Sequence, residues 1–273
     1  MNRNEQKVVL VTGASAGIGK ATVELLLQEG FIVYGAARRI EQMKDIESKG
    51  ARIIAMDVTD ETSMSNGVYR IIREQGRIDV LFNNAGYGAY GAVEDVPLEE
   101  ARRQFEVNLF GLSRLTQLVL PYMRRQKSGK IINTSSAGGK VYTLLGAWYH
   151  AAKHALEGFS DCLRVEVKPF GIDVIIIEPG ATDSEWAEVV FEHVQTTSGS
   201  TAYSIMADAF IKALKKPGAV YPPTRIAHLV SKAIRSKKPK TRYVAGNARP
   251  VILVRRILSD RMFDRILYRA FNI

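Results

Sequence analysis

Residues 7–36, KVVLVTGASAGIGKATVELLLQEGFIVYGA, decide the fold. Lys7–Thr12 is a short run rich in β-branched residues and reads as a strand, followed by the glycine-rich turn 13–19. Lys20–Glu29 has the apolar spacing of a helix, Gly30 stands where a helix ends, and Phe31–Ala36 reads as the next strand. The theme recurs outward in Arg52–Met56 (RIIAM), Ile78–Asn83 (IDVLFN), Lys130–Thr134 (KIINT) and Ile172–Glu178 (IDVIIIE). Helical patterns at Thr62–Glu74, Glu100–Met123 and Ala151–Val167 separate these runs. Strands alternating with helices imply right-handed crossovers and a mostly parallel sheet with helices on both faces. The unbroken apolar run Val174–Ile177 suits a strand covered on both sides. With no repeat, low-complexity tract or composition break, residues 1–273 read as one doubly wound α/β domain.

The composition, 46% hydrophobic and 24% charged over 273 residues, excludes wholesale disorder and collagen-like repeats. The one cysteine, Cys162, can form neither an internal disulfide nor a multi-cysteine metal site, and it fits a reducing compartment. No apolar run reaches eighteen residues, and Met1–Lys7 is polar without a signal-peptide core, so a cytoplasmic chain is expected. The net charge of +10 is local. From Arg225 onward thirteen Lys and Arg face two Asp, giving +11, while residues 1–224 sum to −1. Charge of this kind governs non-specific association, not fold. Within a basic C-terminal extension, about 246–273, residues Pro250–Phe271 read as a helix with Val251, Val254, Leu258, Met262 and Ile266 at helical spacing. Arg261, Arg265 and Arg269 form an i, i+4 row on another face. This extension has three readings: peripheral contact with an anionic membrane, contact with a partner subunit, or cover for its own domain. Nucleic acid is a further basic-tail partner in principle, but it explains none of the motifs below and is not expected.

Gly13, Gly17 and Gly19 lie between the first strand and first helix. Glycine there can serve a turn alone. In a strand–turn–helix setting, however, missing side chains let backbone approach a pyrophosphate, whose charge the helix N-terminus favours. The second strand ends in Ala36-Ala37-Arg38-Arg39 without a carboxylate. An acidic residue at that point would suit NAD, whereas a guanidinium suits the extra phosphate of NADP(H). The two arginines could equally be solvated surface. Asp57, past the third strand, could accept from an adenine amino group or serve a turn or helix cap.

Tyr149 and Lys153 stand four residues apart in a helical pattern and so share a face, separated by about 6 Å of rise. An ammonium at about 6 Å in an effective dielectric near ~20 favours the phenolate by on the order of 3 kcal/mol. That would bring the phenol toward physiological pH, as a general acid or base requires. The chain as a whole resembles the short-chain dehydrogenase/reductase superfamily over about residues 6–245. The resemblance is carried by Thr12–Gly19 (TGASAGIG), residues 83–86 (NNAG), Asn108, Ser136, Tyr149–Lys153 (YHAAK) and Pro179-Gly180.

That resemblance implies a Rossmann fold with a seven-stranded sheet, NADP(H) as cofactor, and hydride exchange with a carbonyl or secondary alcohol. It implies Ser136, rather than the neighbouring Ser135, as the residue orienting the substrate oxygen, and Tyr149 as proton donor. Lys153 would tune Tyr149 and hold the nicotinamide ribose, and Asn108 would distort its helix and support a water-borne proton path. Cofactor contacts fall to Gly13, Ser15, Ala16, Gly17, Ile18, Gly19, Arg38, Arg39, Asp57, Val58, Asn84, Ala85, Gly86, Tyr149, Lys153, Pro179, Gly180 and Thr182, with Asn83 as scaffold. Ala16 replaces a basic residue of the family pattern, leaving Arg38 as the main phosphate ligand and Arg39 as helper. Ser184 stands where the family has threonine. His150 and His154 sit one position off the catalytic face and read as surface or packing residues.

Tyr142, Leu144, Leu145 and Trp148 could form one wall of a substrate pocket. Residues 183–215, with Trp186, Val189, Val190 and Phe191, correspond to the family's mobile lid. Apolar walls suit a hydrophobic substrate, and the run 84–88 with Tyr87 resembles the steroid and retinoid branch. A homo-oligomer, dimer or tetramer, is expected. The rival reading is a catalytically idle NADP(H)-binding sensor, which would ordinarily have lost the tyrosine or lysine.

Overall fold

The computed structural model describes residues 6–183, 185–215, 220–246 and 248–273. Its strands are β1 (Val8–Thr12), β2 (Ile32–Ala37), β3 (Arg52–Ala55), β4 (Val80–Asn83), β5 (Gly129–Thr134), β6 (Ile172–Glu178) and β7 (Arg242–Val244). They form one sheet in the order β3-β2-β1-β4-β5-β6-β7, with every neighbouring pair parallel. This is the doubly wound Rossmann arrangement. Six strands match apolar runs of the sequence within two residues; β7 has only three residues and shows no such run.

Strand alternation sorts the core into two layers. Val9, Val11, Val33 and Ile175 face one side, where α1 (Gly17–Gln28), the short α2 (Lys44–Ser48) and α9 (Pro223–Arg235) cover them. Val8, Leu10, Ile131 and Val174 face the other side, beneath α3 (Glu61–Gln75), α5 (Leu112–Gln126) and α6 (Ala147–Val167). Strand order reverses between β1 and β4, which opens a crevice at the carboxyl ends of the strands, the usual ligand position in such sheets.

Two expected helices are broken. The pattern Glu100–Met123 divides into α4 (Leu98–Phe105), a π-helical turn (Glu106–Gly111) and α5. The wide turn passes directly over the loop after β3, where a Cβ added to Gly111 would lie 2.2 Å from the Val58 carbonyl oxygen. The C-terminal extension is likewise two helices, α10 (Ala248–Ile257) and α11 (Asp260–Phe271), with Ser259 extended between them. Apolar spacing carries across that break, so periodicity alone could not show it. The inner side of α11 covers its own domain: Phe263 is fully buried and Phe271 stacks on Phe210 of α8 (Ser204–Leu214) with ring centroids 5.9 Å apart.

Phe82, in the middle of β4, has no exposed surface. Phe82→Ala is expected to cost about 3–5 kcal/mol of stability. Urea unfolding reads this as a lower midpoint at unchanged slope.

Candidate active site

Helix α1 begins abruptly. Its N-cap is Ala16, whose side chain can make no capping hydrogen bond, and its first turn holds no acidic residue. Its amide dipoles therefore remain available to an anion. Gly13 and Gly17 hold left-handed backbone (φ 66° and 53°) that places the turn against this end. Thr12 Oγ1 accepts from the Asn84 and Ala85 amides at 3.0 and 3.1 Å, fixing the loop after β4 beside the glycine turn. The Asn84 side-chain amide donates to the Thr12 carbonyl at 3.1 Å. Gly13, Ser15, Ala16, Gly17, Ile18, Asn84, Ala85 and Gly86 all line one cavity of about 730 Å³. Gly19 does not line it. A Cβ there would stand 2.1 Å from the Gly13 carbonyl oxygen, so Gly19 permits close packing behind the loop and is no direct contact.

Arg38 and Arg39 reach the same cavity from the end of β2, as do Asp57 and Val58 from beyond β3. Arg39 donates to Glu185 of α7 (Glu185–Ser198) at 2.9 Å and lies 3.4 Å from Ser15 Oγ. Asp57 takes the turn role left open by the sequence, accepting from the Thr59 amide and hydroxyl at 2.9 and 2.8 Å. The helix cap is Asp60 instead. A pyrophosphate fits the uncapped helix end, and an additional phosphate fits the arginine pair; this donor set can hold NADP(H).

At the other end of the cavity lie Tyr149, Lys153 and Ser136. Tyr149 is buried, and desolvation pushes its phenol up to about 12, against the smaller opposing pull of the neighbouring Ser136 side chain. Lys153 Nζ lies 5.8 Å from the Tyr149 ring centre, near the separation expected. The expected acidification of Tyr149 is not found. Tyr149 and Lys153 are both buried, and withdrawal from water outweighs the pull of the ammonium on the phenol. Lys153 is itself lowered to about 8 by burial, partly countered by Glu157 one turn on, and it donates to the Thr134 carbonyl at 2.8 Å.

Asn108 sits fully buried in the π-helical turn. Its amide nitrogen donates to the Tyr87 carbonyl at 2.8 Å, and its oxygen accepts from the Tyr87 amide at 3.1 Å. It therefore clamps the loop after Gly86 from behind and does not line the cavity. Asn83 bonds Thr116 and Asn133 at 3.1 and 2.9 Å, beneath the same loop. Pro179, Gly180 and Thr182 line the opposite wall. Thr182 bridges in parallel to Tyr221, and its hydroxyl donates to the Gly180 carbonyl at 3.1 Å. Ser184 lies outside the described residues.

The substrate wall differs from expectation. Val141 and Thr143 face the cavity, while Leu145 packs into a cluster with Tyr90, Val190, Val194 and Phe210. Tyr142 points to the C-terminal helices, donating to Asp264 at 2.8 Å. Trp186 and Val189 of α7 line the cavity; Val190 is core and Phe191 meets Lys215. Periodicity missed Tyr90, Phe210, Val251 and Phe271, which complete the walls from elements distant in sequence.

A sequence model of the family described as short chain dehydrogenase matches residues 7–195. The chain belongs to the short-chain dehydrogenase/reductase family. This family membership makes it a nicotinamide-dependent oxidoreductase. The 3-ketodihydrosphingosine reductase of Bacteroides thetaiotaomicron is 37% identical over 249 residues, covering 89% of this chain and 88% of the relative. A short-chain dehydrogenase structure from Streptomyces avermitilis superposes with a TM-score of 0.77 at 34% identity, covering 96% of this chain and 95% of the other. An actinorhodin polyketide ketoreductase variant solved with NADPH gives 0.74 at 30% identity, over 86% and 92% of the two chains.

In this dehydrogenase, His150 is a buried packing residue. Its Nε2 accepts from the Thr143 amide at 3.1 Å, which leaves Nδ1 to donate to the Gly138 carbonyl at 2.9 Å. Burial lowers its titration from 6.5 to about 4. The neutral form is favoured on folding, so stability is full above pH 6.5 and falls as pH drops toward 4, by roughly 3 kcal/mol in all. In His150→Gln, thermal melts should lose most of this acid dependence between pH 6.5 and 4.

Proposed function

We propose that the enzyme catalyses reversible, NADP(H)-dependent hydride transfer between the nicotinamide and a carbonyl or secondary alcohol on a hydrophobic, steroid-, retinoid- or lipid-like body. One observation carries this reading: the buried Tyr149 and Ser136 stand together in an apolar-walled cavity whose far end is an uncapped helix and two arginines. The apolar lining by Val141, Trp186, Val189 and Phe210 supports the substrate class. Similarity to a 3-ketodihydrosphingosine reductase and to a ketoreductase solved with NADPH supports carbonyl reduction with NADPH.

A nicotinamide bound in the cavity supplies the hydride in reduction and takes it in oxidation. Ser136 donates to the carbonyl oxygen as negative charge develops there. Tyr149 delivers the proton to that oxygen. Burial keeps its phenol protonated at neutral pH, and an alkoxide is more basic than a phenolate, so the transfer runs downhill. Lys153 holds the ribose and returns a proton toward Tyr149. Asn108 supports that path as a positioning residue, keeping Gly86 and Tyr87 beside the ammonium. Arg38 would hold the added phosphate with help from Arg39, and the backbone of Thr182 would hold the carboxamide, with Pro179 and Gly180 closing that side of the cavity. Helices α7 and α8 serve as the lid over 183–215. The idle-sensor reading leaves the Ser136–Tyr149–Lys153 grouping without a purpose.

A cytoplasmic, homo-oligomeric enzyme is part of this proposal, supported by the lone Cys162 and by exposed Leu98 at the start of α4 and Phe110 in the π-helical turn. Peripheral membrane contact through the C-terminal helices belongs to it as well.

Tyr149→Phe should retain NADPH binding by fluorescence titration and lose about 10²–10⁴-fold in kcat for ketone reduction. Wild-type turnover in that variant would refute the mechanism. Because burial disfavours the phenolate, alcohol oxidation should climb between pH 7 and 9, whereas ketone reduction should not. Arg38→Ala with Arg39→Ala should raise the NADPH KM at least about tenfold and leave the NADH KM nearly unchanged, reflecting lost charge-assisted bonds. A wild-type preference for NADH would overturn the role of Arg38.

A further inference from the structure

We infer that α10 and α11 dock the enzyme on an anionic lipid bilayer and place the doorway of its substrate cavity there, so that a hydrophobic substrate enters from the lipid. The inference rests on the reading of the cavity given above. Both helices are two-sided. Inward, Val251 of α10 and Phe271 of α11 line the cavity itself, so these helices form its rim. Outward, α10 exposes Leu253 and Ile257, one turn apart and 58% and 72% accessible, while α11 exposes Met262 and Ile266, 50% and 42% accessible. Domain packing thus leaves a second apolar face on each helix uncovered.

The charge of the same segment identifies what covers it. Its two acids are already engaged: Asp260 pairs with Arg255 at 2.7 Å, and Asp264 accepts from Tyr142 at 2.8 Å. Arg249, Arg256, Arg261, Arg265 and Arg269 are exposed and form no ion pair among the described residues. On α11 the arginine row lies about 80° around the helix from Met262 and Ile266, at about 100° per residue. Apolar side chains inserted at headgroup depth beside arginines that reach phosphates are the pattern of an interfacial helix. No helix among the described residues is long and apolar enough to cross a membrane, so the contact is peripheral. A second copy of this chain would bring the same unpaired arginines to the interface and repel. An anionic bilayer complements them.

The test uses full-length enzyme loaded with NADPH. Co-sedimentation at low salt with vesicles of phosphatidylcholine mixed with phosphatidylglycerol should far exceed that with pure phosphatidylcholine, and high salt, about 1 M, should abolish it. Arg261→Gln, Arg265→Gln and Arg269→Gln together should weaken binding on the order of 100-fold. Met262→Ser with Ile266→Ser should weaken it at least about tenfold, with NADPH affinity unchanged in both variants. Equal sedimentation with both vesicle types would overturn the inference. So would absence of vesicle binding together with a smaller solution mass for the serine variant, which would assign the face to another copy. Vesicle binding without any ketone turnover would leave the docking intact and defeat the proposed reaction instead, so the two failures are distinguishable.

Discussion

Taking an ammonium out of water costs several kcal/mol unless protein oxygens replace the lost hydration, and Lys153 is about 95% buried. The Thr134 carbonyl at the end of β5 meets it at 2.8 Å, and Glu157 lies one turn further along α6. The lysine lies beside Gly86, whose missing side chain makes room for Asn108: an added Cβ would stand 2.7 Å from Asn108 Oδ1, while Lys153 Nζ lies 3.7 Å from the same point. The π-helical turn brings Asn108 to that spot, and the Asn108 side chain holds the Tyr87 backbone through two hydrogen bonds. A strand end, a glycine, a distorted helix and a buried cation therefore form one arrangement.

The support beneath the lysine comes from the sheet edge. Glu157 and Glu178 are both buried, and burial together with the neighbouring Glu157 carboxylate pushes Glu178 up to about 7. Arg242 of β7 reaches Glu157 at 2.9 Å, Asp161 at 2.7 Å and Glu178 at 3.2 Å, and Lys140 reaches Glu157 at 2.8 Å. Without that guanidinium two buried carboxylates would face each other almost unpaired. The same network joins α6, which carries Tyr149 and Lys153, to β6, which runs into Pro179 and Gly180. Both sides of the cavity's reactive end are thus held by one arginine from a three-residue strand.

The acidity of Tyr149 shows how environment can reverse a pairwise argument. Two groups about 6 Å apart attract with similar strength wherever they sit at a given dielectric. The desolvation cost of each depends on everything packed around it, here Tyr90, Trp186 and His150 against the Tyr149 ring. Burial makes the phenol a weaker acid than a solvated one, and burial of Lys153 likewise makes its ammonium easier to deprotonate. The protonated phenol that burial maintains is the form that donates a proton to a reduced carbonyl.

Local sequence determined a great deal of this protein. Six strands, the glycine turn, the helix bearing Tyr149 and Lys153, and the absence of a carboxylate after β2 were all legible, because periodicity and glycine conformation act within a few residues. Asn108 stood out as an amide in an otherwise apolar helical pattern, though its partner Tyr87 did not. Other features were settled only by tertiary structure. The sign of the Tyr149 shift depends on desolvation by residues from several elements. β7 is too short to carry a pattern, and its Arg242 matters through carboxylates some eighty residues earlier. The cavity wall at Val141 and Thr143 replaced the expected Tyr142, Leu144, Leu145 and Trp148, because the turn pinned by His150 decides which side chains face inward. The C-terminal extension divided into two helices whose inner faces close the cavity. Burial, electrostatics and cavity shape are sums over neighbours distant in the chain, and no local window contains them.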